Sequence, residues 1–261
     1  MVMNLDFPTI LGIIGNVTSF FMFCSPAPTI WRIYLRKDNE EYKFHPIVAG
    51  LISCSMWVLY SMPFVHSNPH TILLTPVNCV GIALYTFYYV VYSYYGDSFI
   101  RKSMWMYLYV EVVVLSVLIC ITLLAFHTHT SRSNFVGIFY VIFGILFYGA
   151  PLTVMLKVIT TKSVEYMPLS LSIAGLFNGV IWSAYACIKK FDHYILICNA
   201  AGAILAVAQL ILYAWYYVSA QKESIETLPT PPHHNSRKTS MVILLRYDDK
   251  EPQLFQFARV N

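Results

Sequence analysis

What most constrains this chain is how long it runs without a charge. Phe7 to Trp31 holds no Asp, Glu, Lys or Arg, and neither does Phe44 to Gly96, which the polar cluster His66–Thr71 divides in two. Ser133–Leu156, Tyr166–Ile188 and His193–Gln221 are equally free of charge, and Met104–Phe126 is interrupted only by Glu111. A helix needs about 20 residues to cross about 30 Å of hydrocarbon. The seven pieces meet that length, so the sequence predicts an all-α membrane protein with seven transmembrane helices. Composition agrees: 57 % of the 261 residues are hydrophobic and 11 % are charged, against roughly 25 % charged in an average soluble domain.

The N-terminus has no basic segment and carries Asp6, so no secretory signal is expected and the first apolar run is retained as a helix. Residues 219–261 turn polar and proline-rich and read as a disordered tail. Of the 17 lysines and arginines, 14 fall on one side of a seven-helix layout, and only Arg132, Lys189 and Lys190 fall on the other. By the positive-inside rule the N-terminus faces outward and the C-terminus lies in the cytosol. The six cysteines sit in or at the ends of apolar runs without metal or redox spacing, which predicts neither a metal site nor a disulfide framework.

The chain also repeats itself. Ser25-Pro26-Ala-Pro-Thr29 is echoed by Gly149-Ala-Pro151-Leu-Thr153, and a tryptophan follows each proline at the same interval, Trp57 and Trp182. Each tryptophan opens a W-x-x-Y quartet ending at Tyr60 or Tyr185, and the next apolar run carries Asn78-x-x-Gly81 or Asn199-x-x-Gly202. The arrangement predicts two parallel three-helix repeats, residues 7–95 and 131–218, joined by a connecting helix within 96–130 (3+1+3). Repeats related by an axis along the membrane normal are a standard transporter design.

Asn78 and Asn199 lie about 10 Å inside their helices at the helical rise. An amide offers two donors and two acceptor sites, which suits vicinal hydroxyls. Trp57 and Trp182 add flat apolar faces for the C–H side of a pyranose. Together they suit a neutral polyol; the same residues would otherwise serve interhelical hydrogen bonding and core packing. Pro26 and Pro151 fall inside helices, where proline frees a carbonyl and permits a bend, whereas Pro46 and Pro168 suit helix starts. Neither repeat has a charged residue in its membrane interior, and a proton-coupled carrier needs a titratable relay at depth. Glu111 lies in the connecting helix, outside both repeats, where packing against a repeat or snorkelling to the interface is expected. A seven-helix receptor gives no reason for a 3+1+3 repeat. An intramembrane enzyme needs buried catalytic groups, whereas the histidines fall in loops or the tail.

The motifs G-I-I-G-N…S-P-A-P-T at 12–29, W-V-L-Y at 57–60, K-S-V-E-Y-M-P at 162–168, N-x-x-G at 199–202 and A-Q-L-I-L-Y at 208–213 resemble the SWEET family of sugar facilitators, its plant branch most of all. The resemblance runs from about residue 9 to 218. It implies a bidirectional uniporter for sugar working by alternating access, with sugar and membrane lipid as partners and neither cofactor nor nucleic acid. It further implies sugar binding by Asn78, Asn199, Trp57 and Trp182, a cytosolic-side hinge of Pro26, Pro46, Pro151 and Pro168, and an extracellular gate of Tyr60 and Asp192. Pro76, and Cys198 in place of a proline, depart from the family pattern beside the asparagines. One turn before each matched Pro and Trp lie Met22, Ser53, Phe147 and Asn178, expected to border one cavity. Family members for disaccharides tend to have small residues there. Three bulky ones imply a hexose carrier, with a sucrose carrier or a proton-coupled carrier of related repeat fold as alternatives. The expected setting is the plasma membrane and the expected state a homo-oligomer.

Overall fold

In the computed structural model, residues 6–39, 42–67, 69–147, 149–167, 169–188 and 191–226 are described, and among them every regular element is a helix. The first span is α1 (Phe7–Phe23) followed by α2 (Ala27–Arg36). Next come α3 (His45–Ser61), α4 (Leu74–Tyr95) after a 3-10 turn, and α5 (Ser98–Leu124). Then come α6 (His129–Phe147) and α7 (Gly149–Thr161), on either side of residue 148, which lies outside the described residues, and α8 (Leu169–Cys187) and α9 (His193–Glu226) follow. Phe7–Arg36, Thr71–Tyr95, Ser98–Leu124, Leu169–Cys187 and His193–Ala220 are each long and apolar enough to cross a membrane. With α3 and the α6–α7 pair, the spans number seven. Large apolar side chains such as Phe21, Val113, Leu124 and Trp215 lie exposed on the outside, a surface suited to lipid.

Proline explains the break between α1 and α2. Pro26 has no N–H to bond back along α1, so the Ser25 N–H takes the Met22 carbonyl at 3.1 Å and the ladder resumes from Ile30 to Pro26 at 3.0 Å. The bend expected at Pro26 is thus a full interruption. Pro151 is the third residue of α7 and Pro46 stands in the first turn of α3; Pro168 lies outside the described residues. Helices α2 and α7 end alike. Lys37 and Lys162 follow α2 and α7 with φ 61° and 54°, the only non-glycine residues with positive φ among those described.

Packing follows the repeat. In the first half α4 packs against α1, α2 and α3; in the second α9 packs against α6, α7 and α8. The halves meet where α1 lies on α8 and α3 on α6. Helix α5 buries Met104, Glu111, Leu118 and Thr122, spaced so that they share one face. Glu111 packs against the first repeat, where the Ser55 hydroxyl donates to Oε1 at 3.3 Å. Helix α9 runs to Glu226, past the boundary at 218 expected from composition. Ser219–Glu226 contains good helix formers and no glycine or proline, so the helix continues after the apolar run stops. The remainder of the tail lies outside the described residues.

Candidate functional site

The two asparagines occupy matching places and do the same thing. Asn78 Nδ2 donates to the Leu74 carbonyl at 2.7 Å, and Asn199 Nδ2 donates to the Ile195 carbonyl at 2.8 Å. Both side chains are buried, and Asn78 Oδ1 has no hydrogen-bond partner among the described residues. A buried acceptor left unpaired is costly unless something visits it.

Each tryptophan sits where its helix meets the first helix of the other half. Trp57 is half-buried with its ring edge-on to Tyr140 of α6, centroids 4.5 Å apart. Trp182 is fully buried against α1, over Gly15, where an added Cβ would come within 2.7 Å of the indole. Gly15 and Tyr140 precede the matched prolines by the same interval. One indole therefore rests on bare backbone and the other on a phenol ring, an asymmetry the repeated motif does not reveal.

Ser19 joins the Trp182 corner to Asn178. Trp182 Nε1 donates to Ser19 Oγ at 3.1 Å, and the Ser19 hydroxyl donates onward to Asn178 Oδ1 at 2.8 Å. Thr18 lies 2.9 Å from the same oxygen. Sequence reasoning missed Ser19, although a signal existed: Gly15, Ser19, Met22 and Pro26 follow the four-and-three spacing of one helix face. Met22 lines an apolar groove of about 850 Å³ bounded by α1, α2, α4 and α8, and neither Ser53 nor Asn178 lines it. The side chain of Phe147 lies outside the described residues.

At the other end of the bundle Tyr60 and Asp192 meet, the Tyr60 hydroxyl lying 2.9 and 3.0 Å from the two carboxylate oxygens. Asp192 also caps α9, accepting the Tyr194 and Ile195 backbone N–H groups at 3.1 Å each. A third side chain, not anticipated from the sequence, completes the contact: His66 Nε2 is 3.1 Å from Asp192 Oδ2, and its ring stands edge-on to Tyr60. Burial works to raise the pKa of Asp192. The hydrogen bonds from His66, the Ile195 N–H and Tyr60 outweigh it and hold the carboxyl below the usual carboxylate range. Nearby, Arg132 donates to the Phe126 and Phe64 carbonyls at 2.8 and 3.1 Å, tying two loops at this end.

Comparison with known proteins agrees with this architecture. The family described as "Sugar efflux transporter for intercellular exchange" matches the chain twice, over residues 9–98 and 134–222. The chain is 46 % identical over 214 residues to the bidirectional sugar transporter SWEET4 of Arabidopsis thaliana, covering 82 % of this chain and 84 % of that one. It is 40 % identical over 240 residues to the bidirectional sugar transporter SWEET7b of Oryza sativa subsp. japonica, covering 92 % and 89 %. A eukaryotic SWEET transporter solved at 3.7 Å superposes with a TM-score of 0.75 at 27 % identity, over 81 % of this chain and 97 % of that one.

Proposed function

The chain belongs to the SWEET family of sugar transporters, and from that premise we propose that it carries hexoses such as glucose across the plasma membrane in either direction, by alternating access and without proton coupling. It is a transporter and not an enzyme. The observation that carries the reading is the pair of equivalent buried asparagines, each with one amide N–H tied to its own helix and the amide plane thereby fixed. In this reading Asn78, Asn199, Trp57 and Trp182 hold the sugar, and Met22, Ser53, Phe147 and Asn178 limit its size. Tyr60 and Asp192 close the outer end, while Pro26, Pro46, Pro151 and Pro168 bend at the cytosolic side. The N-terminus is outside and the C-terminus is in the cytosol.

Absence of proton coupling is supported by the apolar runs of both repeats, which hold no Asp, Glu, Lys or Arg, while Glu111 accepts the Ser55 hydroxyl on the buried face of the connecting helix. The test is reconstitution in liposomes with a panel of labelled sugars. Glucose should equilibrate by uptake and by efflux, and should not accumulate under an inward proton gradient. Uphill accumulation abolished by Glu111→Gln would overturn the uniporter.

A further inference from the structure

Met22 also lines a groove to which none of the four proposed sugar-holding residues, Asn78, Asn199, Trp57 and Trp182, contributes, and that groove has a definite chemistry. Its walls are almost wholly apolar, with Phe21 and Met22 from α1, Trp31 and Tyr34 from α2, Phe87 from α4 and Ala174 from α8. Trp31, Tyr34 and Phe87 are exposed on the outside of the bundle, so the groove opens toward the bilayer. Its volume of about 850 Å³ falls among pockets of about 300–1,000 Å³ that bury most of a drug-sized ligand.

A cation stands at one end. Trp31 and Tyr34 stack at 5.6 Å, and the Lys37 amine lies 4.0 Å above the Tyr34 ring. The exposed Lys37 amine also donates to the Tyr95 hydroxyl at 2.9 Å, which places its charge beside the groove. The backbone contributes to the placement: Lys37 closes α2 in the left-handed conformation, which turns the chain and sends the side chain back toward the rings. From Tyr34 to Phe21 is about 20 Å at the helical rise, and one leaflet of hydrocarbon is about 15 Å deep. The slot thus runs from the level of lipid headgroups to about the middle of the bilayer.

We propose that this groove binds one anionic diacyl phospholipid from the leaflet on the Lys37 side, its phosphate against the Lys37 amine and one acyl chain in the slot between α1, α4 and α8. Charge complementarity commits the site to that occupant. Aromatic residues at headgroup depth and a cation above them suit a phosphate whose chains run inward. The distribution of basic residues puts this end in the cytosol, where anionic lipids concentrate. The occupant would also have a mechanical effect. Ser170, Leu171 and Ala174 belong to the second repeat and the other walls to the first, while Cys24 and Ser25 at the helix interruption line the same space. A chain lodged there fits only while the α1–α8 seam keeps its present width, so it favours the state in which Tyr60 and Asp192 are joined.

Lipid binding does not depend on the sugar reading, and the experiment separates the two. The full-length protein, purified in detergent, is titrated with phosphatidylserine or phosphatidylcholine of the same acyl chains, and bound lipid is counted by native mass spectrometry. One phosphatidylserine should be retained in preference. Lys37→Asn, which keeps a residue tolerant of the left-handed conformation while removing the charge, should lower that preference roughly fivefold. Ala174→Phe should fill the slot and lose both lipids, and the milder Ala174→Leu should weaken both if the larger side chain prevents folding. Equal retention of the two lipids, an unchanged preference in Lys37→Asn, or a dimer peak in place of bound lipid would overturn the site. In liposomes, phosphatidylserine should alter the sugar exchange rate of wild type and leave that of Lys37→Asn unchanged. A protein that retained the lipid and carried no sugar would contradict the proposed function alone.

Discussion

Tyr60 and Asp192 are 132 positions apart in the chain and share a buried hydrogen bond. Tyr60 ends the second helix of one repeat and Asp192 starts the last helix of the other, so the bond staples the halves together at one end. A hydrogen bond to a charged group contributes about 1.5–3 kcal/mol, or at least a tenfold shift in population. In Tyr60→Phe the outward-open population should rise by that factor. Cys198 is buried next to Asn199 and serves as the reporter. Its labelling by an impermeant maleimide added outside, read by peptide mass, should increase about tenfold or more. Unchanged labelling would mean the bond does not close the pathway.

The same carboxylate predicts a pH dependence. Its pKa is lowered in the folded protein, so its stabilising contribution is complete above the unfolded value, about 3.9. That contribution is lost as pH falls through the depressed folded value. The difference in thermal stability between wild type and Asp192→Asn should therefore stay constant from neutral pH down to about 4 and narrow only below it. A gap that closed between pH 7 and 5 would assign the dependence to another group.

Asn78→Ala and Asn199→Ala should each abolish transport while the protein remains folded and in its membrane. Losing a desolvated amide contact costs about 1–3 kcal/mol, one to two decades in affinity. Near-normal transport by both variants would make the asparagines structural.

Size selectivity is tested by comparing glucose with sucrose. Wild type should favour glucose, and Phe147→Val/Asn178→Ser should gain sucrose. Asn178 accepts the Ser19 hydroxyl, and Ser19 accepts Trp182 Nε1. The double variant should therefore also loosen the tryptophan, visible as a change in its fluorescence. Sucrose preferred by wild type would show that these positions do not set the limit.

Gly15 has no space for a side chain. A Cβ there would lie 2.7 Å from the Trp182 ring, which is held by Ser19 and cannot turn away easily. Gly15→Val should displace the indole and lower transport at least tenfold, with a smaller loss for Gly15→Ala. Uptake measured at equal surface expression decides the matter.

Seven spans and their duplication were legible because both rest on local signals, apolar length and a recurring Pro, Trp and Asn. The meeting of Tyr60 with Asp192 was legible only through family resemblance. His66 was not, because a lone loop histidine has no periodicity to mark it. The unequal surroundings of Trp57 and Trp182 were also hidden, since a repeated motif predicts equal partners and says nothing of the glycine or tyrosine across the interface. The helix interruption at Pro26 reads as a bend in sequence. That the Ser25 N–H captures the Met22 carbonyl, and so ends α1 outright, is a choice made by three-dimensional geometry.

The tethered amides leave a chemical asymmetry. Because Asn78 gives an N–H to its own helix and keeps an oxygen unpaired among the described residues, a solute hydroxyl arriving there is read chiefly by the hydrogen it can give. Fluorine in place of that hydroxyl matches it in bulk and has no hydrogen to offer. Deoxyfluoro and plain deoxy sugars should then be refused alike at that position, and the carrier would sort its passengers by where their protons are.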